Sequence, residues 1–84
     1  MSNNIAGRVK WVVLNTIKSM KGMDIELDND LSLIDGGILD SLSVVNVIQG
    51  LVEEFGIEIM VEDITLENFD TVDLIKTFVE ARLN

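Results

Sequence analysis

The chain has 84 residues, carries a net charge of −9, and contains no cysteine, histidine or proline. Without cysteine it has no disulfide, no thiolate nucleophile and no thiolate ligand; without histidine it lacks the commonest metal ligand and the usual general base near neutral pH. The length favours one small domain, residues 1–84, and an acidic body repels nucleic acid and anionic membrane while attracting basic protein surfaces.

The spacing predicts a first helix over residues 3–20. Ile5, Val9, Val12, Val13, Ile17 and Met20 recur at steps of three and four, Trp11 and Leu14 widen the stripe or sit at its edge, and Gly22 is the expected stop. This segment is basic: Arg8, Lys10, Lys18 and Lys21 stand in residues 1–21 with no acid among them, and all 15 acids follow. Four cations spread over a helix read as a solvated face.

Residues 22–40, GMDIELDNDLSLIDGGILD, show no sustained period. Asp, Asn and Gly alternate with isolated Leu and Ile, so a long loop with apolar anchors is expected. A loop of that length in a small domain is unusual and often functional. A second helix is predicted from Ser41 to Phe55, ended by Gly56. Leu42, Val45, Ile48, Val52 and Phe55 form one stripe, which Val44, Val47 and Leu51 widen, so the helix is apolar around much of its girth. Residues 57–63 read as an extended loop and 64–69 as a helical turn or two. Asp70 is the expected cap of a last helix, with Asp73 in its first turn. Val72, Ile75, Phe78, Val79 and Leu83 form the buried stripe of that helix, with Leu74 beside it. The predicted architecture is all-α: a small bundle of three main helices plus one short helix, with a long loop after the first. Segments 22–40 and 57–70 are expected to be its softer parts.

Chemistry concentrates on GGILDSLSVV, residues 36–45. Asp40 is a good N-cap for the second helix, which leaves Ser41 as that helix's first residue. A nucleophilic serine needs a base and a group to orient the base. With no histidine, only lysine remains, and the glycines of a Gly-x-Ser-x-Gly elbow are replaced by Leu39 and Ser43. A calcium loop starting at Asp28 fails at its sixth and twelfth positions, which are Leu33 and Leu39. No metal site is expected, and no catalytic residue is assigned. A serine that carries a group fits better. A phosphodiester there would sit at a helix N-terminus, where free amides and the dipole favour negative charge, and the attached cofactor would bring the chemistry the chain lacks.

With these residues in place the chain resembles the acyl and peptidyl carrier proteins. The resemblance covers nearly the whole chain: GGILDSL, a helix ending LVEEFGIEI, then ENFDTV and a final helix, with Asp40-Ser41-Leu42 as the hallmark. It implies that Ser41 carries 4′-phosphopantetheine, added from coenzyme A by an Mg²⁺-dependent phosphopantetheinyl transferase. The arm's thiol would hold an acyl or aminoacyl group as a thioester for loading and processing enzymes, and the carrier would have no catalysis of its own. The resemblance further implies an acidic docking surface, to which Glu53, Glu54, Glu58, Glu62, Asp63 and Glu67 are assigned. It also implies an apolar cleft, for which Val45, Val47, Ile48, Leu51, Phe55, Ile59 and Phe69 are the candidates. Many fatty-acid carriers have acids two and five residues after the serine. Ser43 and Asn46 stand there, giving an expected neutral surface, and GGILDSL with the longer segment before ENFDTV looks more like the D-alanyl and free-standing peptidyl carriers, or specialised acyl carriers. The rival reading is an unmodified acidic adaptor that binds a partner through its apolar second helix. No signal peptide or bilayer-spanning run is visible, so a soluble, cytoplasmic monomer is expected.

Overall fold

A computed structural model describes residues 4–83. Its helices are α1 (Ile5–Lys21), α2 (Ser41–Phe55), α3 (Leu66–Phe69) and α4 (Val72–Leu83), with a 3₁₀ turn at Val61–Asp63. No strand occurs among the described residues. The all-α expectation holds, with one short helix among three longer ones. Residue 3, which the sequence placed in the first helix, lies outside the described part.

Caps explain the boundaries. Asn4 Oδ1 accepts the Gly7 amide at 3.3 Å to open α1, and the amides of Gly22 and Gly56 close α1 and α2 onto the carbonyls of Lys18 and Val52. α1 packs against both α2 and α4, and α3 lies on α4. The core between them draws Val9, Val13 and Ile17 from α1, Val47 and Leu51 from α2, Phe69 from α3, and Val72, Ile75 and Val79 from α4. The Phe69 and Phe78 rings pack tilted, with centroids 5.2 Å apart. From the long loop, Leu27, Leu33 and Leu39 are buried in the same core, so its apolar residues act as the anchors the sequence suggested.

Three expectations are corrected. On α2 the stripe that faces the core is Ser43, Val44, Val47 and Leu51, whereas Leu42 and Val45 are 64% and 50% exposed and Val52 is also exposed. Periodicity cannot separate these two stripes, because both keep helical spacing and both are apolar. At the C-terminal ends of α1 and α4, Met20 and Leu83 are exposed, although they continue the buried stripes. Finally, Asp70 does not cap the last helix. Thr71 does, its Oγ1 accepting the Leu74 amide at 3.0 Å, and the Asp70 carboxylate turns the other way.

Candidate functional site

Ser41 is the first residue of α2 and is exposed. The residue before it shapes its setting. Asp40 Oδ1 accepts both the Ser43 amide and the Ser43 hydroxyl, each at 2.9 Å. These bonds, with the charge of Lys21 contributing less, hold the Asp40 carboxyl below its ordinary pKa. They also explain how a serine on the inner stripe is 1% exposed without an unmet polar group. Ser43 therefore lies beneath the surface around Ser41 and cannot present anything to a partner. Asn46, the other expected neutral position, folds its amide back onto the Leu42 carbonyl at 3.0 Å.

Gly36 and Gly37 turn the loop into this helix. Gly37 has φ 83°, a region side chains with a Cβ rarely adopt. A Cβ at Gly36 would run into the Ser32 carbonyl oxygen. Lys21, at the end of α1, donates to the Ile38 carbonyl at 2.8 Å and so brings a cation to the edge of the same turn.

A groove of about 630 Å³ opens beside Ser41. Ile34, Gly37 and Leu39 from the loop form one wall, Ile64, Thr65 and Leu66 the other, and Asp40, Ser41, Val44 and Val45 of the α2 start lie between them. Of the seven residues expected in an apolar cleft, Val45 alone borders this groove. Val47, Leu51 and Phe69 are core, and Ile48, Phe55 and Ile59 are partly buried against it. Sequence reading missed the loop wall and Ile64–Leu66, because nothing local indicates that two irregular segments converge on one serine.

The six acids expected to dock partners also divide. Glu53, Glu58, Glu62 and Glu67 are exposed. Glu54 is paired with Arg8 at 2.9 Å, and the same guanidinium donates to the Glu54 carbonyl and lies 4.4 Å over the Phe55 ring. Asp63 is paired with Arg82 at 2.6 Å, accepts the Met60 amide, and sits where Arg82 stacks 4.8 Å over Phe78. Among the described residues no cluster of three or more acids converges as a metal site, and no helix is long and apolar enough to cross a membrane.

A helical bundle that exposes a serine at a helix start, beside an apolar groove, matches what the resemblance to carrier proteins implies. The chain belongs to the phosphopantetheine attachment site family, whose pattern it matches over residues 11–79. Its cofactor is covalent 4′-phosphopantetheine, and it is a carrier that works with partner enzymes, in a family that generally lacks catalysis of its own. The D-alanyl carrier protein of Lactobacillus acidophilus is 31% identical over 75 residues, covering 89% of this chain and 95% of the relative. D-alanyl carrier protein 1 of Lactiplantibacillus plantarum is 34% identical over 71 residues, covering 84% and 89%. Nothing in these likenesses favours an unmodified adaptor.

The residues present fit the cofactor. A phosphodiester needs an exposed hydroxyl and space alongside, and a helix N-terminus favours its negative charge. Ser41 is exposed, the first turn of α2 holds no acid, and Asp40 Oδ1 is engaged by Ser43. The groove gives an apolar wall to a flexible arm.

Proposed function

We propose that this protein is a carrier of a small amino acid, modified on Ser41 and acting as a cytoplasmic monomer, with residues 1–84 as a single carrier domain. The observation that carries the reading is the exposed Ser41 hydroxyl at the start of α2, in a chain of the phosphopantetheine attachment family. A phosphopantetheinyl transferase with Mg²⁺ and coenzyme A is its modifying partner. The Ser41 oxygen bonds to the phosphorus next to pantetheine, the pyrophosphate P–O bond breaks, adenosine 3′,5′-bisphosphate leaves, and the hydroxyl proton is released to solvent. When bound, the arm supplies a terminal thiol that holds cargo as a thioester.

Two observations support a small cargo. The relatives named above are D-alanyl carriers. The space between the helices is filled, with Val47, Leu51, Phe69 and Ile75 each exposed by 1% or less, so a long acyl chain would have to displace core side chains. Exposed Glu53, Glu58, Glu62 and Glu67 are proposed to steer a basic partner toward the neutral, apolar surface of Leu42 and Val45.

The test is intact-protein mass spectrometry after incubation with coenzyme A, Mg²⁺ and a broad-specificity transferase, with Ser41→Ala beside it. One phosphopantetheine on the wild type and none on the variant is the expected result. The holo protein is then offered D-alanine with an activating ligase and ATP, and a medium-chain acyl donor with its own ligase. Loading of the amino acid in preference to the acyl chain is expected; the reverse would overturn the cargo reading.

A further inference from the structure

The Asp70 carboxylate is one of the most heavily bonded polar groups in the molecule and lies outside the Ser41 motif. Its Oδ1 accepts Ser32 Oγ at 3.0 Å, the Ile34 amide at 2.9 Å and the Asp35 amide at 3.0 Å. Its Oδ2 accepts Ser32 Oγ at 2.9 Å. The backbone of the same residue completes the junction: the Asp70 carbonyl accepts the Leu33 amide at 2.6 Å, and the Asp70 amide donates to the Leu66 carbonyl at 3.0 Å.

These bonds join the two walls of the groove. Ile34 lies on one wall and is held through its own amide. Leu39, on the same wall, donates to the Leu33 carbonyl at 2.7 Å, and Asp40 and Ser41 follow it directly. Leu66 lies on the other wall and is held through its carbonyl. One residue thus sets the distance between the loop and α3, and the loop delivers Ser41 to the start of α2. The Leu66 bond is the closing turn of α3 itself, so it is the carboxylate that ties the end of α3 to the loop.

We infer that Asp70 is a positioning residue for the Ser41 platform: it locks the loop 32–39 to α3 and so keeps the hydroxyl and its groove in the form the transferase engages. The inference rests on the reading of Ser41 as the modified residue. Loss of the lock lowers the fraction of molecules in the competent form. Apparent affinity falls by that fraction while turnover at saturation is kept.

The experiment compares wild type, Asp70→Asn and Thr71→Ala by amide exchange and by the kinetics of arm transfer. Thr71→Ala removes the neighbouring α4 cap and leaves the Asp70 carboxylate intact. In Asp70→Asn, exchange at Leu33, Ile34, Asp35 and Leu39 is expected to rise on the order of tenfold, about the effect of losing one hydrogen bond to a charged group. Exchange in α1 and α4 should follow only the change in global stability. KM for the carrier should rise by a similar factor with kcat unchanged, and Thr71→Ala should show neither selective effect. Ser32→Ala, which deletes one donor, serves if Asp70→Asn does not fold, and should show a smaller rise at the same amides.

Unchanged exchange at those amides overturns the inference whatever the kinetics. Raised exchange with unchanged KM overturns the positioning role and leaves the proposed function intact. A wild type that takes no arm on Ser41 overturns the proposed function itself, and with it any step for Asp70 to position.

Discussion

Replacing Gly50 by alanine tests how α2, the helix that begins at Ser41, is seated on α1. A Cβ built on Gly50 would lie 2.7 Å from Val12 Cγ1, closer than non-bonded carbons approach. Val12 is buried, and a valine in a helix keeps essentially one χ1 rotamer, so its methyl cannot turn aside. Two effects oppose each other. Alanine in a helix interior is favoured over glycine by about 1 kcal/mol, while overpacking a filled core costs about 1–3 kcal/mol. The steric effect wins, because relief requires moving one helix axis and not the end of a flexible side chain. The net expectation is a loss of about 1 kcal/mol, or a fall in Tm of about 4–8 °C for a domain of this size. Urea denaturation followed by far-ultraviolet circular dichroism measures it. A double-mutant cycle with Val12→Ala should give a favourable coupling of about 1 kcal/mol, since removing the methyls makes room for the new Cβ. A Gly50→Ala protein at least as stable as the wild type, with additive effects in the cycle, would refute the close-approach argument.

Other perturbations test the remaining supports. Phe69→Ala removes a fully buried ring from the junction of α3 and the core and should cost about 3–5 kcal/mol, read as a lower urea midpoint. Arg8→Met breaks the pair with Glu54, the bond to its carbonyl and the stacking on Phe55. Because the pair is partly exposed, a loss of about 1–2 kcal/mol is expected, and Arg8→Lys should recover little because an ammonium cannot serve both oxygens and the ring. The Asp70 carboxyl is held below its ordinary pKa, first by the Asp35 amide and then by Ser32 and the Ile34 amide, against opposing desolvation. A depressed native pKa stabilises fully above the unfolded value and is lost as pH falls through the native one. Urea midpoints measured from neutral pH downward should therefore drop within and below the ordinary carboxylate range, and the drop should be shallower in Asp70→Asn.

Helix positions were legible because period and caps agree. Asp40, Gly22 and Gly56 each signal a boundary locally, and the Val9–Val13–Ile17 stripe has one apolar side. α2 was harder: it is apolar on two sides, and the choice between them depends on a buried serine. Ser43 looks polar in sequence and reaches the inner stripe only because the Asp40 carboxylate accepts both of its donors. Asp70 looked like a cap because it stands two residues before the α4 start. Its true partners lie 35 to 38 residues away, a separation no local pattern reports. The groove was invisible for the same reason, since its walls come from two irregular segments.

Composition alone does not separate acids paired within the chain from acids that stand at the surface. The sequence divides into a basic first helix and an acidic remainder, which suggests a solvated cationic face and an acidic partner surface. In the fold, three of the four α1-segment cations turn onto the chain itself: Arg8 to Glu54, Lys18 to Asp24 and Lys21 to the Ile38 carbonyl. Two acids bracket the four-residue α3 and work structurally. Asp63 is held by Arg82 just before the Ile64–Leu66 wall, and Asp70 binds the loop just after it. A helix this short cannot sustain itself, because nucleation costs more than one turn of hydrogen bonds returns. Its place must come from outside, and Phe69, Asp63 and Asp70 supply it. Asp63 and Asp70 thus fix the second wall of the groove, and the surface directly around Ser41 is formed by Leu42, Val45 and Leu66 with the Asp40 carboxylate beside them. If Ser41 is the modified residue, as proposed, a partner that engages it meets apolar contact beside the Asp40 carboxylate, and the steering proposed for Glu53, Glu58, Glu62 and Glu67 acts from the surrounding surface.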